Sequence, residues 1–147
     1  MKAYIDCCMN GRESWQARQA ATRELLSLEA GLELRGFESL NFSTRNLPFD
    51  PVTSLNSIAD FVSVSDFVVA FSGHAMLGFS ESAREAMRRH RKPGICFVFV
   101  DDVRRVLPEQ NGQWPQRTFL AISDAHDAAT RISVPKIRMT QRMLADH

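Results

Sequence analysis

A glutamate, Glu81, stands where a glycine-containing loop joins a predicted helix, between two strongly apolar segments at 66–71 and 94–100. The apolar segments predict buried strands, so strand, helix and strand together form a βαβ unit. The loop after the first strand of such a unit is where a parallel sheet usually binds its ligand. A carboxylate there can act as a nucleophile or as a general acid or base. The alternative is that Glu81 only stabilises the helix, because a negative charge in the first turn interacts favourably with the helix dipole.

The same loop offers polar and glycine positions that could bind an anion. Glycine allows backbone N–H groups to approach a ligand closely, and the N-terminus of the next helix favours negative charge. An ordinary turn between a strand and a helix would also use glycine, and both interpretations stay open. The candidate binding residues of this loop are Ser72, Gly73, His74 and Gly78.

A second candidate loop follows the first predicted strand, at 2–8, and contains Asn10, Gly11 and Arg12. An arginine fork beside a glycine suits a phosphate, while the alternative is a turn with a surface arginine. The chain has neither GxGxxG nor GxxxxGK[ST], which argues against a Rossmann dinucleotide site and a P-loop. Adjacent Cys7 and Cys8 are predicted to be buried free thiols rather than redox or metal-binding residues.

Three aspartates lie near the predicted strands. Asp66 begins its strand at the amino end, away from the presumed site, and is predicted to be structural. Asp6 lies near the carboxyl end of the first strand, where a buried carboxylate needs a partner such as Arg12. Asp60, at the end of the second predicted helix, is a candidate for the site with no settled role.

Strand and helix alternate five times along the chain, which predicts an α/β, flavodoxin-like, doubly wound parallel sheet of five strands in a single domain, 1–147. Its ligand would lie beyond the carboxyl ends of strands one and three. The tail, 134–147, is predicted as a last helix with Ile137, Thr140 and Leu144 on one face, or as an arm. The other predicted elements are a helix from Ser14 ended by Gly31, an edge strand at 32–37, a loop at 38–50, a helix starting at Asp50-Pro51, a helix at 80–91, a short helix at 101–107, a loop at 108–115, a strand at 118–122 and a helix capped by Ser123 and reaching 132.

Composition narrows the class of protein. The chain has 147 residues, a formal net charge of +1 and 44% hydrophobic residues, typical of a soluble globular domain with no field that would attract nucleic acid. No apolar run approaches the roughly 20 residues of a membrane span, and the polar start is unlike a signal peptide. Three cysteines give no disulfide framework. These features predict a cytoplasmic protein that contacts neither membrane nor nucleic-acid polymer.

The candidate loops also carry a family resemblance. Residues 8–13 (Cys-Met-Asn-Gly-Arg-Glu) are similar to the phosphate loop of the nucleoside 2-deoxyribosyltransferase superfamily. Residues 65–70 (Ser-Asp-Phe-Val-Val-Ala), then 77–81 (Leu-Gly-Phe-Ser-Glu) and Ala83, resemble that family's strand and glutamate segment, and Lys92-Pro93 before an apolar strand fits as well. Within this superfamily the chain most resembles the 2′-deoxynucleoside 5′-monophosphate N-glycosidases.

The chain departs from the family pattern at three positions. Only two residues separate Gly78 from Glu81, where the family has three, and Ala83 replaces a glycine. The family aspartate that transfers a proton corresponds to Ile58, with Asp60 the nearest acid. Either Asp60 substitutes for it, or another acid does, or the activity is changed or lost.

The resemblance implies cleavage of a base–sugar bond in a nucleoside or nucleoside 5′-monophosphate, by hydrolysis or transfer, without a metal or organic cofactor. Glu81 would attack C1′ as in retaining glycosidases, with Asp60 as the second catalytic acid. Asn10, Gly11, Arg12, Ser72 and Gly78 would bind the 5′-phosphate, and His74 would reach the base or the phosphate. Relatives of this type commonly complete their sites across a dimer, which implies a homodimer or a higher homo-oligomer.

Two other classes of function stay open. TIR-like domains share this fold and a glutamate near a helix start, and some cleave NAD, although the tryptophan that often precedes that glutamate is absent here. A non-catalytic nucleotide-binding or protein-interaction module is favoured by the missing aspartate at Ile58. A redox role for Cys7 and Cys8 has no motif behind it beyond the fold, which is a weak basis for function.

Overall fold

The computed structural model describes residues 1–6, 14–41, 57–73, 76–99 and 117–146. Within these ranges, no helix has the length and apolar character needed to cross a membrane. The predicted short helix at 101–107, the loop at 108–115, the pair Asp50-Pro51, and Cys7 and Cys8 lie outside the described residues.

The centre of the fold is a sheet whose five main strands run parallel in the order β2-β1-β3-β5-β6. This order confirms the predicted flavodoxin-like α/β fold. A two-residue strand, β4, pairs antiparallel with the end of β3 and was not predicted. The strands are β1 (Lys2–Asp6), β2 (Glu38–Leu40), β3 (Phe67–Gly73), β4 (Met76–Leu77), β5 (Gly94–Phe99) and β6 (Arg117–Ile122).

Helices cover both faces of the sheet, as doubly wound folds require. On one face, α1 packs with two short 3₁₀ turns and α4 over side chains such as Phe71 and Phe97. On the other face, α2 and α3 pack side by side over Tyr4, Val68 and Val98. The helices are α1 (Trp15–Leu34), α2 (Ile58–Val64), α3 (Glu81–His90) and α4 (Val134–Ala145), and the 3₁₀ turns are Ala125–Asp127 and Ala129–Arg131.

The prediction that Gly31 ends the first helix was wrong. The helix continues through Gly31 and includes part of the segment 32–37, which was predicted to be a strand. A Cβ on Gly31 would lie 3.0 Å from the Cβ of Ala129, so glycine here permits close packing rather than a helix end. The helix ends at Leu34, and Gly36, two residues further on, has a φ of +86°. The N–H of Phe37 donates to the carbonyl of Leu32 at 3.0 Å, the bond of a Schellman cap. The edge strand therefore forms at β2, inside the predicted loop at 38–50.

Two further predicted helices differ from the structure. The helix expected from Asp50-Pro51 has its described start at Ile58, because Ser57 is extended and its hydroxyl accepts a bond from the N–H of Asp60. The α-helix expected from Ser123 to residue 132 is instead the two 3₁₀ turns. Arg35 binds the carbonyl oxygen of Ala129 at 2.7 Å, so contact with the end of α1 decides the local structure there. The tail forms the helical alternative, α4, capped by Ser133.

The two helix ends with positive φ give a test of these caps. Gly36→Ala is expected to lower the free energy of unfolding by about 1 kcal/mol, because a Cβ disfavours this left-handed backbone. At the end of α3 the same conformation is held by Arg91, with φ of 53°, so Arg91→Gly is expected to cause no loss and a small gain in stability. Urea unfolding of both variants measures the two effects. An equal loss in both would contradict this account of the helix ends.

Candidate functional site

The switch point of the sheet lies between β1 and β3, where the strand order reverses. Both α2 and α3 lead into the amino end of a parallel strand, so both begin toward the carboxyl edge of the sheet. Asp60 lies in the first turn of α2 and not at the end of its helix, as the sequence predicted, because α2 begins only at Ile58. Glu81 is the first residue of α3. Since α2 and α3 pack against each other, the two candidate carboxylates belong to neighbouring helix starts.

A short hairpin carries the chain from β3 to α3. Ser72 pairs with Leu77, and Gly73 pairs with Met76. Gly78 then adopts a φ of +81° and donates its N–H to the carbonyl of Phe71 at 2.7 Å. Gly78 thus forms the turn that directs the chain toward the start of α3, and its N–H is already used within the protein.

The start of α3 is attached to the end of β1 by a buried carboxylate. Asp6, only 2% exposed, accepts the backbone N–H of Ser80 at 2.6 Å and the Ser80 hydroxyl at 3.2 Å. The same hydroxyl accepts a bond from the N–H of Ala83 at 3.1 Å, which makes Ser80 the N-cap of α3. The Tyr4 hydroxyl donates to Asp6 at 3.4 Å. We call the pair of bonds between Asp6 and Ser80 the Asp6–Ser80 clamp.

Burial dominates the electrostatics of this carboxyl. Removal from water raises the pKa of Asp6 above its usual value of 3.8, because the charged form loses hydration. The hydrogen bonds from Ser80 and Tyr4 favour the charged form and oppose that rise without cancelling it. A second carboxylate, Glu81, follows the clamp directly in sequence and is exposed to solvent. The start of α3 therefore combines one buried and one exposed acid.

The predicted site residues divide into two groups. Five of them are described and lie toward the carboxyl ends of the strands, either where β3 ends or where α2 and α3 begin. These are Asp60, Ser72, Gly73, Gly78 and Glu81. The others, Asn10, Gly11, Arg12 and His74, lie outside the described residues.

Two aspartates outside the predicted site also have described hydrogen-bond partners. Asp66 accepts the N–H of Lys2 at 2.7 Å at the amino end of the sheet, which confirms its structural role. The described partners of Asp6 are Ser80 and Tyr4, and Arg12, the partner that the sequence suggested, lies outside the described residues. No local pattern could have revealed the partnership with Ser80, because 74 positions separate the two residues. The described residues contain no group of three or more His, Cys, Asp and Glu that could hold a metal ion.

No protein-family model matches the chain, and no curated protein matches it in sequence. Among solved structures, the chain is similar to BcmB, a CMP N-glycosidase of Clostridium botulinum, with a TM-score of 0.53 and 12% sequence identity. The alignment covers 89% of this chain and 96% of BcmB. An oxidoreductase of Corynebacterium diphtheriae aligns over 99% of this chain and 90% of its own, at 14% identity and a TM-score of 0.36, too low to support an argument. The likeness to BcmB shows a shared fold.

The raised pKa of Asp6 predicts a pH dependence of stability. Between 3.8 and the higher pKa in the folded state, the native protein binds more protons at Asp6 than the unfolded chain does. The contribution of Asp6 to the free energy of unfolding must then fall as pH rises through this window. Asp6→Asn removes the titration, so the stability of the variant relative to wild type is expected to increase with pH. Urea unfolding from pH 3 to pH 8 measures this difference, and a slope of the opposite sign would contradict the dominance of burial.

Proposed function

We propose that this protein cleaves the N-glycosidic bond of a nucleoside 5′-monophosphate, with Glu81 as the nucleophile. The proposal depends chiefly on one observation, that an exposed carboxylate begins α3 beside the switch point of the sheet. The shared fold with BcmB, whose substrate is named as CMP, supports a nucleotide substrate and makes CMP the first to test.

In the proposed reaction, a Glu81 carboxylate oxygen forms a bond to C1′ of the sugar while the bond between C1′ and the base nitrogen breaks. The electron pair of the broken bond leaves with the base, which takes a proton from a second acid. A carboxylate close to C1′ stabilises the oxocarbenium-like transition state. Water then attacks C1′, and the bond between C1′ and Glu81 breaks. The second residue, which has given up its proton, now acts as a base and accepts a proton from the water. The products are the sugar phosphate and free Glu81.

We assign the second acid to Asp60. It lies one turn into α2, which packs beside α3, and both helices begin toward the same edge of the sheet. We assign the 5′-phosphate to Asn10, Gly11 and Arg12, which continue the chain beyond β1, together with Ser72 and Gly73 of the hairpin. Gly78 would shape this loop without donating to the phosphate, because its N–H bonds to the carbonyl of Phe71. His74 would contact the base or the phosphate.

The role of Glu81 can be tested with a matched pair of variants. Glu81→Gln is expected to lower kcat/KM for base release from CMP by at least about 1,000-fold, since an amide cannot form the glycosyl ester. Glu85→Gln is the control, because Glu85 is exposed on the same helix and pairs with Arg88. It is expected to stay within about twofold of wild type. Chromatography of released base from CMP, the other nucleoside monophosphates, nucleosides and NAD provides the measurement.

Each alternative function has its own signature in this experiment. Base release from NAD alone would replace the proposal with a TIR-like activity. A nucleotide that raises the Tm without turnover would indicate a binding module. Equal activity of Glu81→Gln and Glu85→Gln would contradict the assignment of the nucleophile.

The assignment of Asp60 predicts a dependence on the leaving group. Asp60→Asn is expected to lower kcat about 100-fold on CMP, whose base must be protonated as it leaves. On a ribosyl 5-phosphate with 4-nitrophenolate as the leaving group, which departs without protonation, the loss is expected to be less than about fivefold. Equal losses on both substrates would remove Asp60 from the role of acid.

A further inference from the structure

We propose that Asp6 is a positioning residue, which through the Asp6–Ser80 clamp holds the first turn of α3 so that Glu81 faces the reacting sugar. This inference rests on the proposed function and adds a residue to its machinery. Asp6 itself is buried beneath Ser80 and does not meet the substrate. Its effect passes through Ser80, the residue immediately before the nucleophile.

The bonds of the clamp fix Ser80 more completely than a single cap would. Both carboxylate oxygens of Asp6 are used, one by the backbone N–H and the other by the hydroxyl of the same residue. A serine hydroxyl can donate one hydrogen bond. Because the Ser80 hydroxyl donates to Asp6, the lone pairs of its oxygen are available to accept the N–H of Ala83. The carboxylate therefore sets both the position of the Ser80 backbone and the direction of its capping hydroxyl.

Fixing Ser80 restricts Glu81 because the peptide unit between them is planar. Only the φ and ψ angles of Ser80, at −64° and 160°, separate its clamped N–H from the backbone of Glu81. The remaining freedom of the nucleophile lies in its own side chain. Nucleophilic attack needs the reacting atoms within about 3–3.5 Å, and a misplacement of about 1 Å can cost roughly 100-fold in rate.

Burial makes this clamp more than an ordinary surface cap. A carboxylate removed from water is held only where donors compensate for the lost hydration. Tyr4 supplies a third donor to Asp6, and its ring stacks on Phe61 of α2 with centroids 5.7 Å apart. The clamp is thus anchored to β1 and, through Tyr4, to the helix that carries Asp60.

A second aspartate provides a matched control. Asp66 also accepts a backbone N–H, that of Lys2 at 2.7 Å, but it does so at the amino ends of the strands, away from α3. Asp66→Ala removes the same kind of bond as Asp6→Ala without touching α3. A purely structural role for Asp6 would make the two variants alike in activity once both are folded.

The experiment compares kcat, KM and amide hydrogen exchange in wild type, Asp6→Ala, Asp6→Asn and Asp66→Ala. In Asp6→Ala, kcat for base release from CMP is expected to fall about 100-fold with KM within threefold, the pattern of an interaction that acts in the transition state. The Ser80 amide is expected to exchange at least tenfold faster, while exchange at Met87 is unchanged. Asp6→Asn keeps an acceptor for the Ser80 N–H and is expected to recover kcat to within about tenfold of wild type.

Asp66→Ala is expected to retain kcat within twofold and to accelerate exchange at Lys2 only. If Asp6→Ala does not fold, Ser80→Ala removes the hydroxyl bond alone and is expected to lower kcat about tenfold, with Ser80→Thr close to wild type. A normal kcat in folded Asp6→Ala, or in Ser80→Ala where Asp6→Ala fails, would overturn the positioning role and leave the proposed function intact.

The two proposals fail in different ways. Absence of base release by the wild-type protein from every nucleotide tested would overturn both, and the exchange data would then report only whether the clamp orders α3. Activity that requires Glu81 but not Asp6 would overturn the positioning role alone.

Discussion

The attachment of α3 to β1 depends on one buried carboxylate. Burial of Asp6 costs hydration free energy, and the donors that compensate come from Ser80 and from Tyr4. Ser80 and Asp6 are 74 positions apart, so this contact joins the first strand to a helix from the middle of the chain. The parallel sheet brings both to the same edge, where the chain after β3 must turn back to start its crossover helix.

The same arrangement places two acids in different environments at the start of α3. Asp6 is held in a dry setting that raises its pKa, whereas Glu81 begins the helix in contact with solvent. Retaining glycosidic chemistry needs a carboxylate that the sugar can reach, which suits the exposed residue. Under the proposed reaction, the buried acid supports geometry and the exposed acid forms the covalent bond. The stack of Tyr4 on Phe61 links α2 to the same strand, which ties Asp60 to this edge as well.

The sequence predicted those parts of the fold that depend on local pattern. Apolar runs predicted β3 and β5. Ser80 predicted where α3 begins, and the basic residues from Arg88 onward predicted where it ends. Gly31 misled the interpretation because its small size serves packing against Ala129, a contact from nearly a hundred positions away. The helix expected from Ser123 became two 3₁₀ turns through bonds from Arg35, which are equally non-local. The position of Glu81 at the start of its helix was predicted, but the partnership of Asp6 with Ser80 could not be, since only the assembled sheet brings the two together.

Detection of the covalent glycosyl-enzyme intermediate is the most direct test of the proposed chemistry. Wild-type protein mixed with CMP and quenched in acid within milliseconds should show, by intact mass spectrometry, a species heavier by one ribosyl phosphate. Peptide mapping should assign the added mass to Glu81, and the species should decay as water completes the reaction. Rapid release of cytosine with no adduct at any time, or an adduct on a different residue, would contradict Glu81 as the nucleophile.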